Sequence, residues 1–72
     1  MDKKLRVIIG SNLQKERKKQ RYSQQDIADA VDVSTNYYAT IERGESIPSL
    51  VTLFEIIEFL ELDTTKILPK KI

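Results

Sequence analysis

The strongest constraint on the fold is the spacing of apolar side chains in residues 24–43, which read QQDIADAVDVSTNYYATIER. Positions 4, 8, 10, 15 and 18 of this stretch are apolar, and they are Ile27, Val31, Val33, Tyr38 and Ile41. Such spacing lets two short helices cross over a tight turn and bury a common seam. The small Ala28 stands where the two helices approach most closely. We therefore expect a pair of short helices joined by a tight turn.

Local signals mark where these two helices begin and end. Ser23 and Asp26 form an S-x-x-D capping pair at the start of the first. Ser34 is placed to cap the second, and Gly44 stands where a C′ glycine ends a helix. Asp32, in the turn, tolerates the left-handed backbone better than most residues. The spacing and the caps therefore predict the same two helices.

Three further helical segments are predicted outside this pair. The first covers about residues 4–20, which carry an apolar stripe at helical spacing. Another follows Ser49 over residues 50–62, and its apolar stripe is Leu50, Leu53, Ile56, Ile57 and Leu60. Asp63 is expected to cap a last turn or two before Pro69. Together these signals predict an all-α bundle of five short helices.

Length limits the organisation of the chain. Its 72 residues allow one hydrophobic core, so we expect a single domain over residues 1–72. Residues 1–8 are expected to be a basic N-terminal extension, which either lengthens the first helix or forms a basic arm. Residues 69–72 are expected to be a C-terminal tail, which either adds to a dimer or is disordered.

The composition removes several classes of function. The chain has no Cys and no His, so it lacks disulfides, thiolate nucleophiles, the usual Cys/His zinc ligands and the commonest general base. We therefore expect no enzyme activity, no cofactor, no metal site and no small-molecule ligand. No apolar run approaches the roughly 20 residues of a membrane span, and the start lacks the apolar core of a signal peptide. A soluble, cytoplasmic protein with no membrane partner is expected.

The charges are divided unevenly along the chain. The net charge is +1, but residues 1–21 hold eight Lys or Arg against two acidic residues. Residues 22–72 hold four basic residues against nine acidic ones. One end of the chain is therefore expected to attract polyanions, while much of the rest would repel them unless it faced away. The alternative is two solvated faces of a helical protein.

Three motifs at fixed distances resemble a known family. They are S-Q-x-x-[IL]-A at the start of the paired helices, I-E-x-G at their end, and P-S-L shortly after. In residues 9–68 the chain resembles the lambda-repressor-like, Cro-type helix-turn-helix regulators of the XRE family. The resemblance implies a helix-turn-helix at about residues 24–43, with the third helix of five in the DNA major groove and the second crossing the backbone.

The third helix carries the predicted base contacts. If Tyr38 and Ile41 face the core, the opposite face lies towards DNA, and Asn36 there suits a bidentate contact to adenine. Tyr37 lies between the two faces and either bonds a phosphate or covers the helix. The residues predicted to contact DNA are Gln24, Ser34, Thr35, Asn36, Tyr37, Thr40, Arg43 and Arg17. The alternative for most of them is an ordinary solvated helix surface.

The resemblance also implies a structural ion pair. In the family an Arg and a Glu at the places of Arg17 and Glu42 pair with each other, so we expect a partly buried pair that holds the first helix against the third. Three residues depart from the family pattern: Asp32 and Glu61 replace common glycines, and Glu45 stands where Lys or Arg is frequent. An acidic residue near phosphates weakens binding, so we expect modest affinity from one subunit.

A single copy of the motif indicates that two subunits act together, because regulators of this kind bind paired half-sites about one helical turn apart. Surplus apolar side chains around the fourth helix are candidates for the dimer interface, and they are Ile47, Val51, Phe54, Phe59 and Leu62. The alternative is that they are additional core.

Two functions from different classes fit these features. The first is a sequence-specific regulator of transcription that binds double-stranded DNA as a homodimer on a palindromic operator, as a repressor or autoregulator in a bacterial cell or phage. The second is an antitoxin-like or adaptor module that uses the same fold to bind a protein partner. Salt-dependent binding to duplex DNA is required by the first function and not by the second.

Overall fold

A computed structural model describes residues 3–69 of the chain. Four α-helices and one 3-10 turn follow one another, and they are α1 (Lys3–Lys19), α2 (Gln24–Ala30), α3 (Thr35–Glu42), α4 (Leu50–Phe59) and the turn Thr64–Lys66. The described residues contain no strand. The prediction of an all-helical fold is therefore confirmed, with a single 3-10 turn as its fifth element. No helix in this part of the chain has the length and hydrophobicity to cross a membrane.

The two ends of the chain had been predicted as an extension and a tail. α1 begins at Lys3, so residues 3–8 form the first turns of this helix. Of the two alternatives for this segment, the structure shows the one in which it lengthens the first helix. Residues 1–2 lie outside the described part of the chain. Of the predicted tail, only Pro69 is described.

Side-chain caps begin the helices where the sequence signals predicted them. The Ser23 hydroxyl accepts a hydrogen bond from the Asp26 backbone N–H at 3.0 Å, and the Asp26 carboxylate accepts one from the Ser23 N–H at 2.8 Å. This reciprocal pair is a complete capping box. Ser34 and Ser49 cap α3 and α4 through their hydroxyls in the same way. Each cap satisfies a backbone donor that the first helical turn leaves free.

The turn between α2 and α3 is tight because one residue adopts a left-handed backbone. Asp32 has φ 59°, and the following Val33 N–H bonds back to the Ala28 carbonyl at 3.0 Å. Arg21 and Glu61 also have positive φ, at 64° and 55°. Glycine would adopt these angles without strain, so these side chains cost stability at the ends of helices.

One hydrophobic core lies where the four helices meet. Its buried members are Ile9, Leu13, Ile27, Ala28, Val31, Tyr38, Ile41, Leu53, Ile56, Ile57, Leu60 and Ile67. Leu50 was predicted to join the apolar stripe of α4, and this is wrong, since it is 68% exposed. It occupies the first position of the helix, where no neighbouring element reaches it, so the buried stripe begins one turn later at Leu53.

Two glycines set how closely α1 approaches α3. A Cβ atom on Gly10 would lie 2.9 Å from the Glu42 carbonyl carbon and closer still to the carbonyl oxygens of Ile41 and Glu42. Gly44 has φ 76°, and a Cβ there would lie 2.9 Å from the Val7 Cα. The α1 backbone therefore rests directly on the C-terminal end of α3, and this contact fixes the direction in which α3 points.

Candidate nucleic-acid interface

One face of α3 is polar and open to solvent, while the other is buried. Tyr38, Ile41 and Glu42 are buried, whereas Asn36 and Arg43 are exposed. Seven residues make almost two full turns of an α-helix, so Asn36 and Arg43 lie nearly in line along the same face. α3 therefore presents a row that runs from the exposed Asn36, past the half-buried Ala39 and Thr40, to the exposed Arg43.

The N-terminal end of this face carries unoccupied hydrogen-bonding groups. Thr35 and Asn36 are both exposed, and neither side chain bonds to another described residue. Ser34, just before them, uses its hydroxyl oxygen to accept from the Tyr37 backbone N–H at 3.0 Å. The Asn36 amide therefore keeps both its donor and its acceptor, which is the pair that an adenine edge requires in the major groove.

Thr40 and Tyr37 are less available than their sequence positions indicated. The Thr40 hydroxyl lies 2.6 Å from the Tyr37 carbonyl, to which it donates, and 2.6 Å from the Ser46 hydroxyl. Its proton is therefore used inside the protein, which leaves its methyl group and half-buried surface for a ligand. The Tyr37 ring is also half-buried and packs against the core. Of the two roles considered for Tyr37, this position favours covering the helix.

A buried ion pair joins α1 to α3 behind the exposed face. Arg17 Nε donates to Glu42 Oε2 at 2.6 Å, and Arg17 Nη2 donates to Glu42 Oε1 at 3.1 Å. The two side chains are only 9% and 1% exposed. Arg17 Nη1 donates to the Tyr22 carbonyl at 2.7 Å, so each of the three nitrogens has a partner inside the protein. This leaves the predicted phosphate contact of Arg17 without support from its position.

Gln24 belongs to the same network. Its Nε2 donates to Glu42 Oε1 at 2.9 Å. A carboxylate only accepts hydrogen bonds, so the amide nitrogen must face inward and the amide oxygen outward. Gln24 is half-buried at the first position of α2. The Glu42 carboxylate thus connects α1, α2 and α3 at one point.

The surroundings of Glu42 shift the pKa values of the groups that meet there. Burial raises the pKa of the Glu42 carboxyl, but the hydrogen bonds from Arg17 and Gln24, together with the nearby Tyr38 hydroxyl, outweigh the effect of burial, and the net pKa is lowered. The hydrogen bond to Glu42 raises the pKa of Arg17. Burial, followed by the neighbouring Glu42 carboxylate, raises the pKa of the Tyr38 hydroxyl. At neutral pH the network therefore holds a carboxylate, a guanidinium and a neutral phenol.

The Tyr38 hydroxyl is the least satisfied atom of this network. It is buried beside Glu42 and Arg17, but it makes no hydrogen bond of good geometry to any described residue. A buried hydroxyl without a partner costs stability. The ring itself is fully buried in the core, so the cost is offset by its apolar contacts.

Arg43 ends α3 with a second, exposed ion pair. Its Nε donates to Glu45 Oε2 at 3.0 Å and its Nη2 donates to Glu45 Oε1 at 3.1 Å. The two side chains are 56% and 59% exposed. The pair raises the pKa of Arg43 and lowers the pKa of Glu45. Sequence reasoning placed both residues near phosphate but did not foresee that they would pair.

The residues predicted to form a dimer interface fall into two groups. Ile47, Val51 and Phe54 are exposed around the start of α4. Phe59 is 36% exposed, and its ring lies 5.0 Å from the Tyr22 ring, tilted by 45°. Leu62 is half-buried against the core.

Leu50 belongs with the exposed group and was missed. Its spacing carries the signal that could have identified it, because Leu50, Val51 and Phe54 recur at intervals of three and four residues on one face of α4, and Ile47 lies in the loop just before the helix. We call Ile47, Leu50, Val51 and Phe54 the α4 face.

Known proteins share both the sequence pattern and the fold. A helix-turn-helix family model matches residues 13–67. An uncharacterized HTH-type transcriptional regulator, y4dJ of Sinorhizobium fredii (strain NBRC 101917 / NGR234), is 29% identical over 56 residues, which cover 78% of this chain and 73% of that protein.

The fold is similar to that of the restriction-modification controller protein C.AhdI from Aeromonas hydrophila. The TM-score is 0.80 at 24% identity, and the match covers 86% of this chain and 94% of that one. At this identity the likeness shows the fold alone. The family resemblance expected from the motifs is confirmed by the match over residues 13–67. The chain therefore belongs to the XRE-type helix-turn-helix family of DNA-binding transcriptional regulators.

Proposed function

We propose that residues 1–72 act as one DNA-binding domain that recognises a specific sequence through α3 and represses transcription as a homodimer on a palindromic operator. The observation that carries this proposal is the open polar face of α3, where Thr35 and Asn36 have no partner among the described residues. The proposed place of action is the bacterial cytoplasm.

Asn36 is the proposed reader of an adenine, and Thr35 adds a hydroxyl or methyl contact beside it. A good bidentate contact gives about 1–3 kcal/mol of discrimination against the wrong base. Gln24 and Arg43 are the proposed phosphate contacts, which fix the position of α3 in the groove but carry no sequence information directly. Arg17 is left out of this set, because its guanidinium already binds Glu42 and Tyr22.

The test is a selection of operators from random duplex DNA at low salt, followed by affinity measurements with variants. Asn36→Ala is expected to weaken binding to the selected operator by about 5- to 150-fold and to leave random duplex almost unchanged. Ser11→Ala is the matched control, since it is an exposed polar residue on α1. Equal losses on operator and random duplex would contradict the assignment of Asn36 as a reader.

The proposed dimer uses the α4 face. A second copy is the occupant we propose, because one α3 reads one half-site and regulators of this kind use two half-sites about one helical turn apart. Four large, exposed apolar side chains around the start of one helix of a small chain are typical of an interaction site. The face is apolar and the adjoining part of α4 carries the acidic Glu55 and Glu58, so two copies would meet through apolar contact rather than through charge.

The dimer is tested with Val51→Glu. Val51 is 68% exposed, so the substitution should leave the fold of one subunit intact. Analytical ultracentrifugation should show dimers for the unmodified chain and for the control Thr65→Glu, and monomers for Val51→Glu. Operator affinity should fall with the dimer. Wild-type protein that remains monomeric at micromolar concentration would contradict this part of the proposal.

A protein-binding module remains the second candidate, and the exposed carboxylates of Glu55, Glu58 and Glu61 are the observation that favours it. This acidic surface would repel DNA and suits a basic partner. The affinity for duplex DNA separates the two functions. A regulator loses affinity steeply as salt rises, whereas a module for protein partners shows no duplex binding to lose.

A further inference from the structure

The position of Glu45 is fixed by the way in which α3 ends. Gly44 N–H bonds to the Ile41 carbonyl at 3.1 Å, and Glu45 N–H bonds to the Thr40 carbonyl at 2.9 Å. With Gly44 at φ 76°, these two bonds form a Schellman motif, which ends the helix and reverses the chain. The Glu45 backbone is therefore held close to Arg43, which places the Glu45 carboxylate within reach of the guanidinium.

The Thr40–Ser46 contact adds to this constraint. The two hydroxyls lie 2.6 Å apart, and the Ser46 N–H also bonds to the Thr40 carbonyl at 3.3 Å. Residues on both sides of Glu45 are thus tied to the last turn of α3. The loop presents the Glu45 carboxylate at the end of the row of polar side chains that begins at Asn36.

The Arg43–Glu45 pair has the geometry of an arginine bound to phosphate. Two parallel N–H donors meet two oxygens at 3.0 and 3.1 Å, which is the fork arrangement that guanidinium groups make with carboxylates and phosphates alike. The same two donors of Arg43 are the ones that a DNA phosphate would need. A carboxylate and a phosphate therefore compete for one site on Arg43.

We propose that Glu45 is an internal competitor of DNA, which occupies Arg43 in the free protein and must be displaced before Arg43 binds a phosphate. This proposal rests on the proposed function, since it takes Arg43 as a phosphate contact. Displacement removes the ion pair and leaves the Glu45 carboxylate near the DNA backbone. Glu45 thereby lowers affinity for every duplex by a similar factor, because phosphate contacts do not depend on sequence.

The consequence is that sequence contacts carry more of the total affinity. With Arg43 occupied, non-specific binding loses one of its electrostatic contacts, while the base contacts of α3 are unaffected. The protein then binds stably only where those base contacts are also made. Glu45 thus acts through Arg43 and touches no base in this proposal.

The experiment measures binding to a short random-sequence duplex by fluorescence anisotropy over a range of salt concentrations, so no operator has to be known. Glu45→Gln keeps the side-chain length and removes the charge. It is expected to tighten binding by about three- to tenfold at low salt and to raise the number of phosphate charges inferred from the salt slope by about one. Glu58→Gln is the matched control, because it removes the same charge from an exposed position on α4.

Arg43→Gln, alone and combined with Glu45→Gln, separates competition from simple repulsion. If Glu45 acts through Arg43, most of the gain from Glu45→Gln is lost when Arg43 is absent. A gain of the same size without Arg43, or a gain equal to that of Glu58→Gln, would overturn the proposal, since the carboxylate would then act only by its charge. Circular dichroism of each variant checks that the helices are unchanged.

The outcomes also separate this inference from the function on which it rests. Binding of random duplex by the unmodified chain, with no effect of Glu45→Gln, overturns the inference and leaves the DNA-binding function in place. Failure of the unmodified chain and all variants to bind duplex at low salt overturns both.

Discussion

Replacing Glu42 by Gln should destabilise the domain severely, although the side chains have almost the same shape. The Glu42 carboxylate accepts hydrogen bonds from Arg17 Nε, Arg17 Nη2 and Gln24 Nε2, and the side chain is only 1% exposed. An amide at this position places an NH₂ group, which is itself a hydrogen-bond donor, against the N–H donors of Arg17 or Gln24. Arg17 then keeps its charge in a buried position without a counter-charge.

The magnitude follows from that burial. Removing one partner of a buried ion pair costs about 3–5 kcal/mol, because the remaining charge is uncompensated. A core of this size supplies about 3–5 kcal/mol of stability in total. The free energy of unfolding of Glu42→Gln should therefore be near zero at room temperature. Since each 1 kcal/mol shifts Tm by about 4–8 °C in a domain this small, Tm should fall by at least about 12 °C.

A double variant shows that the cost comes from the unpaired charge. Replacing both partners, as Arg17→Met with Glu42→Leu, removes the two charges together and leaves apolar side chains of similar volume. Such replacements are often neutral or even stabilising elsewhere. We expect the double variant to recover at least half of the stability lost in Glu42→Gln, although the Tyr22 carbonyl and Gln24 lose their partners.

The same pair gives stability a dependence on acid pH. The pKa of Glu42 is lowered in the folded protein from its ordinary value of 4.5, so the unfolded chain takes up a proton at higher pH than the folded one. Its stabilising contribution is then complete above about pH 4.5 and is lost as the pH falls through the lowered value. The double variant lacks the carboxyl, so its stability should fall less over this acid range.

The assay is urea denaturation followed by circular dichroism between acid and neutral pH, with Glu58→Gln as an exposed control. The reasoning would be refuted if Glu42→Gln lost no more stability than Glu58→Gln. The reasoning would also fail if the double variant were less stable than Glu42→Gln, because a buried Arg17 charge without a counter-charge would then stabilise the domain rather than destabilise it.

Three smaller perturbations test the backbone features of the fold by the same denaturation assay. Gly10→Ala should cost more than 2 kcal/mol by a rough estimate, because its Cβ would collide with the α3 carbonyls and force the helices apart, whereas Ser11→Ala should have little effect. Glu61→Gly should stabilise by about 0.5–1 kcal/mol by relieving a residue at φ 55°, and an unchanged or lower stability would contradict this. Ser23→Ala should cost about 1 kcal/mol through loss of the capping box at α2.

Local signals explain most of what the sequence predicted correctly. The capping pair of Ser23 and Asp26 involves residues three apart, so the chain itself brings them together and no knowledge of the fold is needed. The left-handed backbone of Asp32 follows in the same way from the short turn between two helices. The buried seam of α2 and α3 follows from the spacing of the apolar residues, because the helical period alone determines which side chains share one face.

The spacing of residues in the sequence did not predict features that depend on where an element ends or on what packs against it. The helical period assigns Leu50 to the buried stripe, but burial also needs a neighbour, and nothing covers the first position of α4. Gly10 gave no signal, because a glycine in a helix becomes informative only when a second backbone lies against it. The pairing of Arg43 with Glu45 depends on the chain reversal after α3, which sets the direction of a side chain two residues further on.

The reading face of α3 and the α4 face depend on each other under the proposed function. A helix that presents side chains from its first turns reads about four base pairs, and a sequence of that length recurs by chance about once in 256 base pairs. Two such helices at a fixed spacing read about eight, which recur about once in 65,000 base pairs. Breaking the contact between subunits would therefore remove most of the discrimination while leaving every base contact of one subunit intact. A monomeric variant such as Val51→Glu should therefore keep the preference of one half-site and lose the preference added by the second, so its ratio of operator affinity to random-duplex affinity should fall well below that of the dimer.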